Sequence, residues 1–241
     1  MTVRLDGIEL VVFDKDGTII EFDSMWSGWA VALAEALRAA TARPVDEPLF
    51  AMLGYDPVTG TVSPGGGLAA TPMARLRDRT RDVLVGAGLS VSEAERALES
   101  AWHAPDPIVL ARPLGDLRAL FDWLHDTGRR VAVATSDDRA PTERTLLALG
   151  IADVVDATVC ADDGIAVKPA PEMLLRLCAS LGVAPARTAV VGDTPADLQM
   201  ARSAGAGMSI GVLTGVGGRV DLEPFADAVV DSVEQLREHL A

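Results

Sequence analysis

At 241 residues, the chain is long enough for a main domain carrying a smaller insertion, and 49% hydrophobic against 23% charged residues excludes a disordered protein. A formal charge of −14 argues against general attraction to nucleic acid or an anionic membrane, and favours a small molecule held in a local positive pocket. Cys160 and Cys178 lack metal-ligand spacing and read as buried thiols of a reducing compartment. Without a signal-peptide pattern or a bilayer-length apolar run, the expectation is a cytoplasmic protein.

Ile8-Glu9-Leu10-Val11-Val12-Phe13 is short, apolar and β-branched, the pattern of a buried strand, and it runs into Asp14-Lys15-Asp16-Gly17-Thr18. From 22 to 107 the pattern turns helical, at roughly 24–40, 72–87 and 92–103, with no buried strand. Thr71-Pro72 and a capping-box pair, Ser92 with Glu95, mark helix starts there, and Tyr55 to Gly67 is a glycine-rich connection with a turn signal at Thr59-Gly60. Strand and helix then alternate: a helix from Pro113 to Thr127 stopped by Gly128, a strand from Arg130 to Thr135, a helix over 139–149, a strand over 154–160 and a helix over 171–181. A strand from Thr188 to Gly192 leads into a helix near Pro195 with Thr194 as N-cap, followed by a strand near 208–213 and a C-terminal helix near 232–240.

This order predicts an α/β fold: a Rossmann-like parallel sheet with helices on both faces and ligands at the carboxyl ends of the strands. Residues 1–21 and 108–241 form the expected core, and 22–107 a helical inserted domain.

The candidate chemistry falls at those strand ends. Asp14 and Asp16, with Gly17 and Thr18 beside them, can bind a hard cation and leave an oxygen free to attack phosphorus. Asp193 and Asp197, in Gly192-Asp193-Thr194-Pro195-Ala196-Asp197, also suit a helix N-terminus, but the topology brings them to the same edge. Acids crowded there repel one another unless a cation is bound. Thr135, Ser136 and Lys168 reach suitable positions to hold phosphate oxygens. Only Lys15 and Lys168 among the 21 basic residues are lysines, so a compact point charge at position 168 is a choice against the chain's habit.

Taken together, Asp14-Lys15-Asp16-Gly17-Thr18, Thr135, Lys168 in Lys168-Pro169-Ala170-Pro171-Glu172, and Gly192-Asp193 with Asp197 resemble the four motifs of the haloacid dehalogenase superfamily. The likeness spans nearly the whole chain and is to the phosphatase branch with a helical cap after the first motif, the phosphoglycolate phosphatase-like group. It implies that Asp14 forms an aspartyl-phosphate and that Asp16 protonates the leaving oxygen and later activates water. It also implies Mg2+ held by Asp14, the Asp16 backbone carbonyl and Asp193, with Asp197 in support, and a phosphate held by Thr135, Ser136 and Lys168. The partner is then a small phosphorylated metabolite, phosphoglycolate being one candidate, and the protein a monomer or homodimer.

Lys15 stands where that family more often has an apolar or aromatic residue, and it is expected to face the insertion or solvent without a catalytic role. His103, His125 and His239 read as surface or partly packed, Trp26, Trp29 and Trp102 as the insertion's own core, and the arginines of 75–81 as a solvated face. Gly65-Gly66-Gly67 and Gly215-Val216-Gly217-Gly218 read as flexible turns. Two alternatives stand beside hydrolysis: a sugar phosphomutase that passes the phosphoryl group to a second hydroxyl, and a non-catalytic small-ligand or partner-binding protein. An insertion free of lysine disfavours phosphonate cleavage.

Overall fold

The structure is a computed structural model and describes residues 6–238. β1 (Leu10–Phe13) is buried at every position, and after it the chain leaves the sheet. It forms α1 (Phe22–Thr41), α2 (Asp46–Leu53), a hairpin of β2 (Tyr55–Asp56) and β3 (Thr61–Val62), α3 (Gly67–Ala70), α4 (Met73–Gly86) and α5 (Val91–Ala101). Next, α6 (Pro107–Leu110) and α7 (Leu117–Asp126) return it to β4 (Arg130–Ala134). Alternation follows with α8 (Arg139–Ala148), β5 (Ala157–Val159), α9 (Glu172–Leu181), β6 (Thr188–Gly192), α10 (Pro195–Ala204), β7 (Met208–Val212), α11 (Arg219–Leu222), β8 (Ala228–Val230) and α12 (Gln235–Glu238).

The six longer-range strands form one parallel sheet, in the order β5-β4-β1-β6-β7-β8. Side chains alternate across it. On β1, Val11 and Phe13 join a core with Val131, Val133 and Phe121, while Leu10 and Val12 join another with Met173, Leu174, Leu177 and Met200. Burial on both faces explains the continuous apolar runs of the central strands. The expected parallel α/β architecture is the one observed.

The insertion buries a helical stripe of its own. Phe22, Met25, Trp26, Trp29, Leu33 and Leu37 recur at three- and four-residue spacing along α1 and pack with Leu49, Leu76 and Leu98. Several details of the chain differ from the sequence expectation. Its capping box is Ser90 with Glu93, not Ser92 with Glu95, because Glu95 turns across to Arg77 at 2.9 Å and Arg81 at 3.2 Å. Those two arginines therefore bridge α4 to α5 in addition to meeting solvent. α2 and the edge strand β8 were not anticipated, and α7 begins only at Leu117. His239 and the end of the expected C-terminal helix lie outside the described residues. No helix among the described residues is long and apolar enough to cross a membrane.

Candidate active site

Strand register builds the site. Phe13 lies level with Val133 on β4 and Val191 on β6, so the residues that follow all emerge at one edge: Asp14, Thr135 and Asp193. Asp14 still belongs to the ladder, its N–H donating to the Val191 carbonyl at 2.9 Å, and the Thr135 N–H donates to Val159 at 3.0 Å. Sheet backbone therefore aims these side chains.

Gly17 then turns the chain at φ +85°, and a Cβ there would strike the Asp193 carboxylate. The loop after β7 closes on the same carboxylate. Val216 N–H donates to Asp193 Oδ2 at 2.9 Å, Thr18 Oγ1 to its Oδ1 at 3.4 Å, and Thr214 Oγ1 to the Gly17 carbonyl at 2.7 Å. The glycines after Thr214, expected to be flexible turns, are instead a packed part of the site, since a Cβ at Gly215 or Gly217 would fall onto Asp193.

Lys168 Nζ lies 2.5 Å from Asp14 Oδ1 and 2.6 Å from Asp197 Oδ1. Asp197 Oδ2 accepts from the Thr194 N–H at 3.0 Å and its hydroxyl at 2.6 Å. One carboxylate thus caps α10 and holds the lysine, joining the two uses its position suggested. Oxygens of Asp14, Asp193 and Asp197 lie within 4.8 Å of one another, and all three are buried or nearly so. Burial above all, helped by Asp197 and Asp16 and opposed by Lys168, pushes the Asp14 carboxyl up to about 7. Asp193 is held well above the ordinary carboxylate range by burial, then by Asp14 and Asp197. Three acids facing one cation leave an excess of negative charge, and an all-oxygen donor set matches a hard divalent ion. Among the described residues, no hydrogen bond claims Asp14 Oδ2, so that oxygen is available to a cation or to phosphorus.

Thr135 and Ser136 line the cavity beside Lys168. The Asp137 N–H donates to Thr135 Oγ1 at 3.1 Å, which leaves the threonine hydroxyl proton to be donated elsewhere. The cavity is small, about 40 Å³, and is closed on the insertion side by Phe22, Trp26, Leu68 and Met73.

Asp16 is gripped from two sides. Trp26 Nε1–H donates to its Oδ1 at 2.9 Å, and Lys15 Nζ is 2.6 Å from its Oδ2. Lys15 also meets Asp137 Oδ2 at 3.2 Å. Contrary to expectation, Lys15 does not reach solvent: its side chain is 0% exposed, and its ammonium is turned to Asp16 and Asp137. Burial draws its pKa down, but Asp16 and Asp137 outweigh that and hold the ammonium above the ordinary lysine value. Trp26 packs edge-on to Trp29 at 5.8 Å, as a core residue would, yet its indole N–H serves Asp16. Sequence reasoning missed Asp137 and this second task of Trp26. The only signal for Asp137 was its place two residues after Thr135. His125 pairs with Asp156 at 2.9 Å and His103 is exposed beyond α5, both away from this edge.

Known proteins resemble the chain over most of its length. A family model for haloacid dehalogenase-like hydrolases matches residues 8–205. The chain is 42% identical over 217 residues to "Probable phosphatase IndB" of Dickeya dadantii, covering 86% of this chain and 82% of that one. It is 31% identical over 201 residues to a phosphoglycolate phosphatase of Rhodospirillum rubrum, covering 81% and 76%. A crystal structure titled as a predicted phosphoglycolate phosphatase from Haemophilus somnus 129pt superposes with a TM-score of 0.69 at 19% identity, covering 96% and 97%, a likeness of fold.

Proposed function

The chain belongs to the haloacid dehalogenase-like hydrolase family and is a phosphatase enzyme, and from that premise we propose that it hydrolyses small phosphate monoesters through an aspartyl-phosphate on Asp14, with Mg2+. The observation that carries the reading is the meeting of Asp14, its Oδ2 unclaimed, with Lys168, Thr135 and Asp16 around one cavity.

Lys168 and the Thr135 and Ser136 hydroxyls hold the phosphoryl oxygens. Asp14 Oδ2 attacks phosphorus, the bond from phosphorus to the alcohol oxygen breaks, and Asp16 gives that oxygen its proton. Water then attacks the aspartyl-phosphate, Asp16 takes a proton from it, and phosphate leaves with Asp14 restored. Mg2+, held by Asp14, the Asp16 carbonyl and Asp193 with Asp197 in support, would offset charge between carboxylate and phosphate. Residues 22–107 act as a cap that excludes water and opens to admit substrate in the cytoplasm.

Phosphoglycolate, named for the Rhodospirillum rubrum relative, is the first ester to try. With Mg2+, the wild-type protein is expected to release inorganic phosphate from a panel of phosphorylated metabolites, and Asp14→Asn to lower that release by about 10⁴-fold or more. Full activity in Asp14→Asn would remove the nucleophile assignment. Conversion of a hexose phosphate to its isomer without free phosphate would replace hydrolysis by a mutase reaction.

A further inference from the structure

Lys15 is a buried charge at the catalytic edge that the reaction above leaves without a task. It sits between Asp14 and Asp16 in the chain, yet the cavity is walled by Asp14, Asp16 and Asp137 and not by Lys15. Its ammonium lies behind that wall, 2.6 Å from Asp16 Oδ2 and 3.2 Å from Asp137 Oδ2. Asp137 is itself fixed, its Oδ1 accepting the Asp138 N–H at 2.8 Å. A backbone amide thus holds Asp137, Asp137 holds Lys15, and Lys15 holds Asp16. The same Asp137 contributes its own N–H to Thr135 Oγ1 at 3.1 Å, so the Thr135 hydroxyl and Asp16 share one frame.

Removing a lysine from water is costly unless its charge is paired, and burying it is a poor route to stability when an apolar side chain of similar volume fills the same space. The family resemblance favours such an apolar residue here. A chain in which only two of 21 basic residues are lysines has nevertheless placed one at this position.

We propose that Lys15, anchored by Asp137, is a positioning residue that fixes the Asp16 carboxylate in the orientation from which it passes a proton to the leaving oxygen. The proposal rests on the phosphatase reading and on Asp16 as its acid and base. Its signature is dependence on the leaving group. An alcohol of high pKa needs the proton from Asp16 as its bond to phosphorus breaks, whereas p-nitrophenolate leaves without one.

The test compares kcat/KM for p-nitrophenyl phosphate with that for the best alkyl phosphate of the metabolite panel. Lys15→Met is expected to lose about 100-fold on the alkyl ester and no more than a few-fold on the aryl ester. Asp16→Asn should show the same asymmetry, and adding Lys15→Met to it should remove little more. Equal losses on both esters, or none on either, would overturn the proposal. If Lys15→Met does not fold, Lys15→Met with Asp137→Asn, which neutralises the more buried of the two carboxylates left without their cation, is measured instead. Collapse of that variant too would make Lys15 a structural residue and end the idea. Wild-type protein that releases phosphate from neither ester would sink the phosphatase reading itself, whereas wild-type turnover with an indifferent Lys15→Met sinks the positioning role alone.

Discussion

The chain's two lysines are buried among carboxylates at one sheet edge, yet they do different things because they face opposite ways. Lys168 opens on the cavity and bridges Asp14 and Asp197, with Asp193 close by, so one cation meets three acids. Lys15 lies behind the wall and meets two acids, Asp16 and Asp137, beneath the Trp26 indole. The front cluster carries the larger excess of negative charge and an unclaimed carboxylate oxygen, so it can take a metal and a phosphoryl group. In the rear cluster Lys15 itself has no exposure and can only hold, while Asp16 turns to the cavity. Residue type and burial do not separate these roles; orientation and charge balance do.

The largest effect should come from the front. Lys168→Met removes the cation paired with Asp14 and Asp197 and, on the proposed function, a phosphate contact, and kcat/KM is expected to fall about 10³-fold on aryl and alkyl esters alike. An asymmetric loss, the pattern expected of the rear lysine, would erase the distinction between the two.

Metal-free stability sharpens the comparison next. Burial raises Asp14 to about 7 and Asp193 well above the usual range, so between the ordinary carboxylate pKa and those values the folded protein binds more protons than the unfolded chain. Stability without metal is therefore greatest in mild acid and declines as pH climbs through about 7, and a divalent cation should restore it. Melting temperatures at pH 5 and pH 8, with chelator and with Mg2+, check this. A chelated protein as stable at pH 8 as at pH 5 would mean that the three acids are not the strained cluster described here.

The front cluster was readable in the sequence and the rear one was not. β1, β4 and β6 are apolar on both faces and end on Asp14, Thr135 and Asp193, so strand pattern and chemistry coincide. Lys15, Asp137 and Trp26 come together through tertiary packing, and no spacing rule links a helix tryptophan to an acid ten residues earlier. Elsewhere, local signals were ambiguous or weak. Ser90-Val91-Ser92-Glu93-Ala94-Glu95 contains two overlapping capping boxes, and only the partners of Glu95 on α4 decide between them. α2 carries Pro48 within its first turn, where proline is tolerated but reads as a breaker. β8 is three residues long, too short for periodicity to show.

Trp26→Phe tests the rear cluster most gently. It keeps an aromatic ring against Trp29 and leaves both Lys15 contacts, removing the N–H that reaches Asp16 Oδ1 together with part of the indole's volume. A single neutral donor to a carboxylate that still has a charged partner contributes modestly, so kcat/KM on the alkyl ester should fall about three- to tenfold. The aryl ester should be nearly unaffected, as for Lys15→Met but on a smaller scale. That ranking follows from geometry: Lys15 is tied to Asp137 behind the sheet edge, whereas Trp26 belongs to α1, outside the sheet. If Trp26→Phe cost more than Lys15→Met, Asp16 would take its orientation from the insertion, and proton transfer would be set by closure of that segment and not by the rigid frame behind the sheet edge.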